Sequence, residues 1–423
     1  MTASSLPLPQ EDPATKKWTL HYIIGVFWIT YWIGNLYIAF DYILPFLDYY
    51  VVTGILLVYI AFVRPTSFIE VFSKPMIWVW VLTAAIPMVM YLDSSFGSFS
   101  YGAMKMRIIY LSAIGGMTLI LLEDNREKLL RDAALIALGL TVLLNFVDMV
   151  IPLPMSRAPG RAAGLWADPN ISAAALCSLL IVVVNPRRLS VRDLFIVAVT
   201  LLAILITFSR SGIIFAVFLG FVYLVAPDGK NGPSTMTRWS IAVGAIIALT
   251  FASVIAIAVF DIELTASWRI TSLLTGDASD TSSQGRILRF TWALERAMEF
   301  FWTGRGLGAN QYYGLHSHNA YVATLYNYGI FGLLLYIFLV SQGLFLMLRY
   351  GWKRALVPGL LSLNLLYYGM FAHTVPNAAG LSIPFVIFML KMYIDPLPES
   401  PQRQTQSSFF GDSNALDPTG HPQ

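Results

Sequence analysis

The sequence predicts an all-α polytopic membrane protein of about 12 transmembrane helices, with one long loop that carries amphipathic helices. Three observations predict it. Hydrophobic residues make up 57% of the 423 positions and charged residues only 12%, against about 25% in an average soluble domain. The apolar residues gather in runs long enough to cross a bilayer. None of these runs alternates as a barrel strand would, so helices are left to satisfy the backbone within lipid.

The spans are read at roughly 18–40, 42–63, 76–92, 103–122, 130–152, 170–185, 193–208, 211–226, 238–260, 319–348, 354–374 and 380–394. Lys16 and Lys17 precede the first, and Arg64 and Lys74 separate the second from the third. Lys105 and Arg107 stand at the mouth of the fourth, and Arg126, Lys128 and Arg131 lead into the fifth. Asp168, Pro169 and Asn170 open the sixth, and Arg187, Arg188 and Arg192 divide it from the seventh. Arg210 separates the seventh from the eighth, and Lys230 and Arg238 lead into the ninth. The tenth starts after "HSHN" and stops at Arg349, with Lys353 and Arg354 opening the next.

Lys and Arg are commoner in cytoplasmic loops, and most of these residues fall on one side if the N-terminus is cytoplasmic. The organisation follows: 1–17 as a cytoplasmic tail, 18–395 as the integral membrane domain with a periplasmic loop at 261–317, and 396–423 as a disordered cytoplasmic tail. The N-terminal stretch is polar and acidic, unlike a cleaved signal, so the first span is expected to stay as an anchor. A net charge of +3 gives no argument for nucleic acid. The single cysteine, Cys177, lies in an apolar run, which leaves no internal disulfide and no cysteine-rich metal site.

The charges on the predicted outer face are the informative ones, because they sit where the orientation rule disfavours them. In the long loop, "GRILRFTWALERAMEFF" places Ile287, Phe290, Leu294, Ala297 and Phe301 on one helical face and Arg286, Arg289 and Arg296 on another. That is the pattern of a basic helix lying on a membrane surface. "WTGRGLGAN" after it is a glycine-rich turn with neither the preceding strand nor the lysine of a phosphate loop.

Four stretches share that face: "KMR" at 105–107, "RAAGLWADPN" at 161–170, "TFSRSG" around Arg210, and the loop helix leading to "HSHN". Lys105 and Arg107 fit either lipid headgroups or an anionic substrate. "DPN" fits either a helix cap or a site. Arg210 sits in a turn so tight that an unpaired charge there is costly, which favours function. Arg289, Arg296 and Arg305 read as surface charges, and His21 and His373 as interfacial histidines. His316 and His318 admit capping, a metal or general-base chemistry. A zinc site lacks a third ligand nearby. A neutral imidazole beside the aqueous face accepts a proton near physiological pH. Asp168, Asp277, Asp280, Glu295 and Glu299 are weaker candidates, since carboxylates near arginines stay ionised.

A base, several arginines and an interfacial helix suit an anionic, membrane-anchored substrate such as a lipid-linked diphosphate sugar. Diphosphate leaves without a proton if arginines neutralise it, and the acceptor hydroxyl then needs only the base. No metal and no cofactor is called for.

Taken in order, "RAAGLWADPN", "TFSRSG", "GRILRFTWALERAMEFFWTGRGLGAN" and "HSHNAYVATLYNYGIFG" resemble the motifs of the bacterial O-antigen ligase and polymerase superfamily. The resemblance implies a GT-C-like inner-membrane glycosyltransferase that takes a glycan from undecaprenyl diphosphate at the periplasmic face, without a metal. A ligase passes the glycan to lipid A core, and a polymerase passes it to another lipid-linked repeat. Carried over by motif, His318 is the base, Arg210 and Arg286 hold the diphosphate, and Arg161 precedes the Pro-Asn motif. Asn319, His316, Lys105 and Arg107 are the further substrate-binding candidates. A membrane transporter is the alternative from another class. It is disfavoured because the charge gathers on one face and no pair of interrupted helices is evident.

Overall fold

The computed structural model describes residues 20–44, 49–63, 126–156, 161–186, 189–225, 281–314 and 317–372, with isolated positions at 73, 236–237, 240 and 385. All regular structure among them is helical: α1 (Leu20–Ile33), α2 (Leu36–Ile43), α3 (Tyr49–Val63), α4 (Arg126–Val150), α5 (Pro169–Val183), α6 (Val191–Leu205), α7 (Arg210–Val225), α8 (Thr281–Glu299), α9 (Ala309–Tyr312), α10 (Ala320–Val340), α11 (Gln342–Tyr350) and α12 (Trp352–Gly369). A 3-10 turn, Gly164–Trp166, lies before α5. Among the described residues, Lys128–Val150 and Ala320–Val340 are long and apolar enough to cross a membrane, and shorter apolar helices accompany them. The expected spans at 76–92, 103–122, 238–260 and 380–394 fall outside the described residues, apart from Ser240 and Phe385.

The expected first span is two helices. Asn35 takes a left-handed conformation between α1 and α2, and its side chain donates to the Leu165 carbonyl. Asparagine tolerates that conformation better than most residues.

The core centres on α5, whose Ala173, Ala174, Ala175, Leu176 and Cys177 are fully buried among α4, α6, α7 and α12. Small side chains let the helices approach closely. A Cβ on Gly212 of α7 would lie 2.6 Å from the Ala173 Cβ. Against α4, the buried Trp28, Tyr31 and Trp32 of α1 face Ala133, Ala134 and Ala137.

Two buried amides in this core, Asn145 and Asn364, are hydrogen-bonded to a neighbouring helix. The Asn145 side chain donates to the Thr141 carbonyl at 2.8 Å and pairs with Ser172 at 3.0 Å. From α12, Asn364 donates to Ala174 O at 3.1 Å and to Ser178 Oγ at 2.6 Å.

Near the end of α4, Asp148 is buried, and its carboxylate accepts three backbone N–H groups: Leu153 at 2.7 Å, Ala163 at 2.7 Å and Gly164 at 2.9 Å. It anchors the segment that runs from Arg161 into α5. Asp148→Ala strands three donors and is expected to cost about 2–4 kcal/mol, read as a lower melting temperature of the detergent-purified protein. An unchanged melting temperature would contradict this role.

Candidate functional site

The site grows from helix starts. Asp168 caps α5 by accepting from Asn170 N at 2.7 Å, with Pro169 at the first turn where its missing N–H costs nothing. Ser209 caps α7, its Oγ accepting from Gly212 N at 3.1 Å. The same hydroxyl donates to Asn170 Oδ1 at 2.8 Å. The two starts are therefore bonded side by side, with the positive ends of both helix dipoles at one place.

Arg161 joins this frame. Its Nε donates to Thr207 O at 3.0 Å, and another nitrogen reaches Phe208 O at 3.4 Å and Asn170 Oδ1 at 3.5 Å. A cation on carbonyls just beyond the end of α6 is also favoured by that helix's dipole. The motifs "RAAGLWADPN" and "TFSRSG", distant in sequence, thus form one hydrogen-bonded unit. Arg210 is the first residue of α7 and half-buried, between the buried Ser209 and Ser211.

The "HSHN" turn has a cap of its own. Asn319 Oδ1 accepts from Tyr321 N at 2.9 Å and Val322 N at 3.0 Å, and its amide donates to Met370 O at 3.3 Å. Asn319 therefore starts α10 and ties it to the end of α12. Tyr321 adds a second tie, donating to Leu366 O at 2.6 Å. One turn inward, Tyr367 of α12 stacks on Phe215 of α7 at 5.3 Å. Through α12, the Arg210 turn and the His318 turn belong to the same end of the bundle.

Backbone strain marks the same turns. Ala167 (φ 58°), Phe208 (φ 46°) and His318 (φ 49°) are in the left-handed region without being glycine. Such conformations persist only where the surroundings enforce them, and they gather at functional sites.

α8 brings its arginines to this region. Arg289 is exposed, in keeping with its reading as a surface charge, and its Nη1 lies 3.4 Å from His318 Nε2. Arg286, half-buried, is one turn earlier on the same helix. Arg296 pairs with Glu299 at 2.8 Å on the exposed face. The amphipathic reading of α8 is also refined. Phe290, Ala293, Leu294, Ala297 and Phe301 turn onto α10 rather than outward, while Ile287, Leu288, Trp292 and Met298 are exposed.

The glycine-rich turn after α8 enters a break in α10. Gly329 has φ 67° and ψ −171°, which interrupts the helix. Arg305 N donates to Tyr326 O at 2.7 Å, Gly306 N to Asn327 O at 3.1 Å, and Ile330 N to Phe301 O at 2.7 Å. The loop thus satisfies the backbone groups that the break frees, as an apolar setting requires. Arg305 is fixed too, contrary to its reading as a surface charge. It donates to Tyr313 Oη at 2.6 Å and Tyr326 Oη at 3.2 Å, with its guanidinium 3.9 Å from the Tyr313 ring centre. The break folds α10 on itself. The Tyr321 and Tyr336 rings are 5.9 Å apart, where that much straight helix would cover about 22 Å.

Residues 194–337 match the O-antigen ligase family, Wzy_C. No curated protein matches the chain. The matched O-antigen ligase segment opens within α6 and closes within α10, so it holds Arg210, Arg286, Arg289, the glycine-rich turn, His318 and Gly329. Arg161 and Asn170 precede it and reach it through the Thr207 and Ser209 hydrogen bonds.

Of the residues expected at the site, Lys105, Arg107 and His316 lie outside the described residues, as does His373. Arg161, Arg210, Asn319 and His318 are placed at one end of the bundle, with Arg286 on the adjoining helix α8. Asp148 was not singled out, and the approach of Arg289 to His318 was not foreseen. A lone carboxylate late in an apolar run was the available signal for the first. The second depends on which face of α8 meets α10.

Proposed function

We propose that this protein is an O-antigen ligase-type glycosyltransferase. It moves a glycan from undecaprenyl diphosphate to an acceptor hydroxyl, that of lipid A core, at the periplasmic face of the inner membrane. The observation that carries the reading is the family match, which spans both the Arg210 turn and the arginine-bearing helix that meets His318. The paired helix starts at Asn170 and Ser209 support it, because dipole ends and arginines together suit a diphosphate.

In this reading Arg210 and Arg286 neutralise the diphosphate as it leaves the anomeric carbon with the bonding electron pair. His318 takes the proton of the acceptor hydroxyl, whose oxygen forms the new glycosidic bond. Lys105 and Arg107 help receive the diphosphate, and His316 is a further substrate-binding residue. Asn319 acts through the cap that fixes His318. No metal enters these steps, and membrane lipids surround the site.

A polymerase that joins lipid-linked repeats would use the same chemistry on another acceptor. A transporter would be favoured by an interrupted helix left open to a site. Here the interruption at Gly329 is occupied by the 301–306 loop.

Cells lacking the protein separate the readings through their lipid-linked glycan pool. Accumulation of long finished chains on undecaprenyl diphosphate is the expected result. Single repeats, accumulated or transferred unextended, would mean a polymerase, and an unchanged pool with intact surface polysaccharide would reject glycosyl transfer. Arg210→Lys is expected to lower transfer by about 10²-fold or more, because a point charge does not replace a bidentate fork. Turnover at the wild-type rate in that variant would contradict bidentate diphosphate binding.

A further inference from the structure

We propose that Arg289 is a positioning residue for His318, holding its imidazole as the neutral tautomer with Nε2 unprotonated and aimed as the base. The inference rests on the reading of His318 as the base and adds the group that prepares it.

The geometry is specific. Arg289 Nη1 lies 3.4 Å from His318 Nε2. A guanidinium has only N–H groups to offer and accepts nothing. In the proposed state the ring nitrogen facing it supplies the lone pair, and the ring proton sits on Nδ1. That is the state a general base needs before an acceptor hydroxyl arrives.

The surroundings keep the two groups in register. The His318 backbone is held in the left-handed region at φ 49°. On one side Ser317 Oγ donates to Asn319 O at 3.0 Å, and on the other Asn319 caps α10. Arg289 is placed independently, since Phe290, Ala293 and Leu294 of the same helix pack on α10. At the far end Ile330 N donates to Phe301 O at 2.7 Å. The contacts at 289 with 318 and at 301 with 330 are equal steps along the two segments. α8 thus runs beside the first half of α10 in the same direction, and the pairing is set by that alignment.

A contact of 3.4 Å is at the long end for a hydrogen bond, so an incoming hydroxyl can displace it. The hydroxyl then donates to Nε2. Its oxygen bonds to the anomeric carbon, and the bond from that carbon to the diphosphate oxygen breaks with its electron pair. The proton remains on Nε2, and His318 ends the step as an imidazolium.

The test uses the full chain in lipid nanodiscs with Arg289→Gln, His318→Ala and the double variant. The donor is the lipid-linked glycan extracted from cells that lack the protein, and it is titrated to separate kcat from KM. Arg289→Gln is expected to lower kcat by about 10- to 100-fold with donor KM changed by less than about threefold. It should cause no further loss on top of His318→Ala, because both act through one group.

A second readout needs no donor. In the 15N-histidine-labelled protein, with His318→Asn identifying the signal among the five histidines, wild type should show a single tautomer protonated at Nδ1. Arg289→Gln should show a mixture. Wild-type kcat in Arg289→Gln, a rise in KM alone, or an unchanged tautomer would overturn the inference. If His318→Ala still transfers glycan, the base reading falls and takes this inference with it. If His318→Ala is inactive while Arg289→Gln is active, this inference alone falls.

Discussion

Replacing His318 with alanine is expected to abolish glycan transfer while the protein still inserts and folds. General-base catalysis contributes about 10²–10⁴-fold, and in this reading His318 alone takes the acceptor proton. His318 has φ 49°, so alanine also places a Cβ-bearing residue without polar side-chain compensation in the left-handed region. His318→Asn separates the two effects. Asparagine tolerates that backbone better and has no basic nitrogen. Both variants should therefore lose transfer, and His318→Asn should match wild type in yield and melting temperature. Activity in either would contradict the assignment.

Gly329→Ala is expected to prevent the 301–306 loop from seating. Its φ of 67° already disfavours a side chain, and a Cβ there would lie 2.3 Å from Trp302 O and 2.8 Å from Gly304 N. The neighbours are backbone atoms, which cannot rotate aside. Gly304 is the reciprocal case, since its Cβ would lie 2.5 Å from Gly329 N. Either substitution forces apart two segments joined by the Arg305, Gly306 and Ile330 hydrogen bonds. The loss should exceed about 3 kcal/mol, which for a membrane protein reads as little or no monodisperse material after detergent extraction. Gly139→Ala and Gly220→Ala are the controls. Each lies within a helix with nothing within 4 Å of the added Cβ, so both should express as wild type or slightly better. Normal yield and melting temperature for Gly329→Ala would show that the break is not essential to the fold.

Much of the frame was legible because lipid leaves few choices. The apolar runs read at 130–152, 170–185, 193–208 and 211–226 correspond to α4, α5, α6 and α7, whose bounds differ by a few residues. The starts of α5, α7 and α10 follow from Asp-Pro-Asn, Ser-Arg-Ser-Gly and His-Asn, because caps are local chemistry. What bonds one start to another was not legible. That Ser209 donates to Asn170, or that Arg161 reaches Thr207, depends on α5 and α7 lying side by side.

The break in α10 was hidden for a different reason. "YNYGIFG" keeps the apolar character of its neighbours, and a single glycine within a span is common. Its cause is a loop that precedes it in the chain and supplies the missing backbone partners. The arginines of α8 show the same limit. Helical spacing places Arg286, Arg289 and Arg296 together, yet one reaches His318 and another pairs with Glu299. Ile287, grouped by spacing with the buried face, is exposed, because the contact with α10 is narrower than the apolar arc.

The most direct measurement of the central claim is transfer by the purified chain alone. Proteoliposomes would hold the protein, the extracted undecaprenyl-diphosphate-linked glycan and lipid A core in the presence of EDTA, with His318→Asn in parallel. The account predicts glycan covalently joined to the core by the wild-type protein and none by the variant. Equal transfer by both, or glycan carried across the membrane with no bond made, would contradict it.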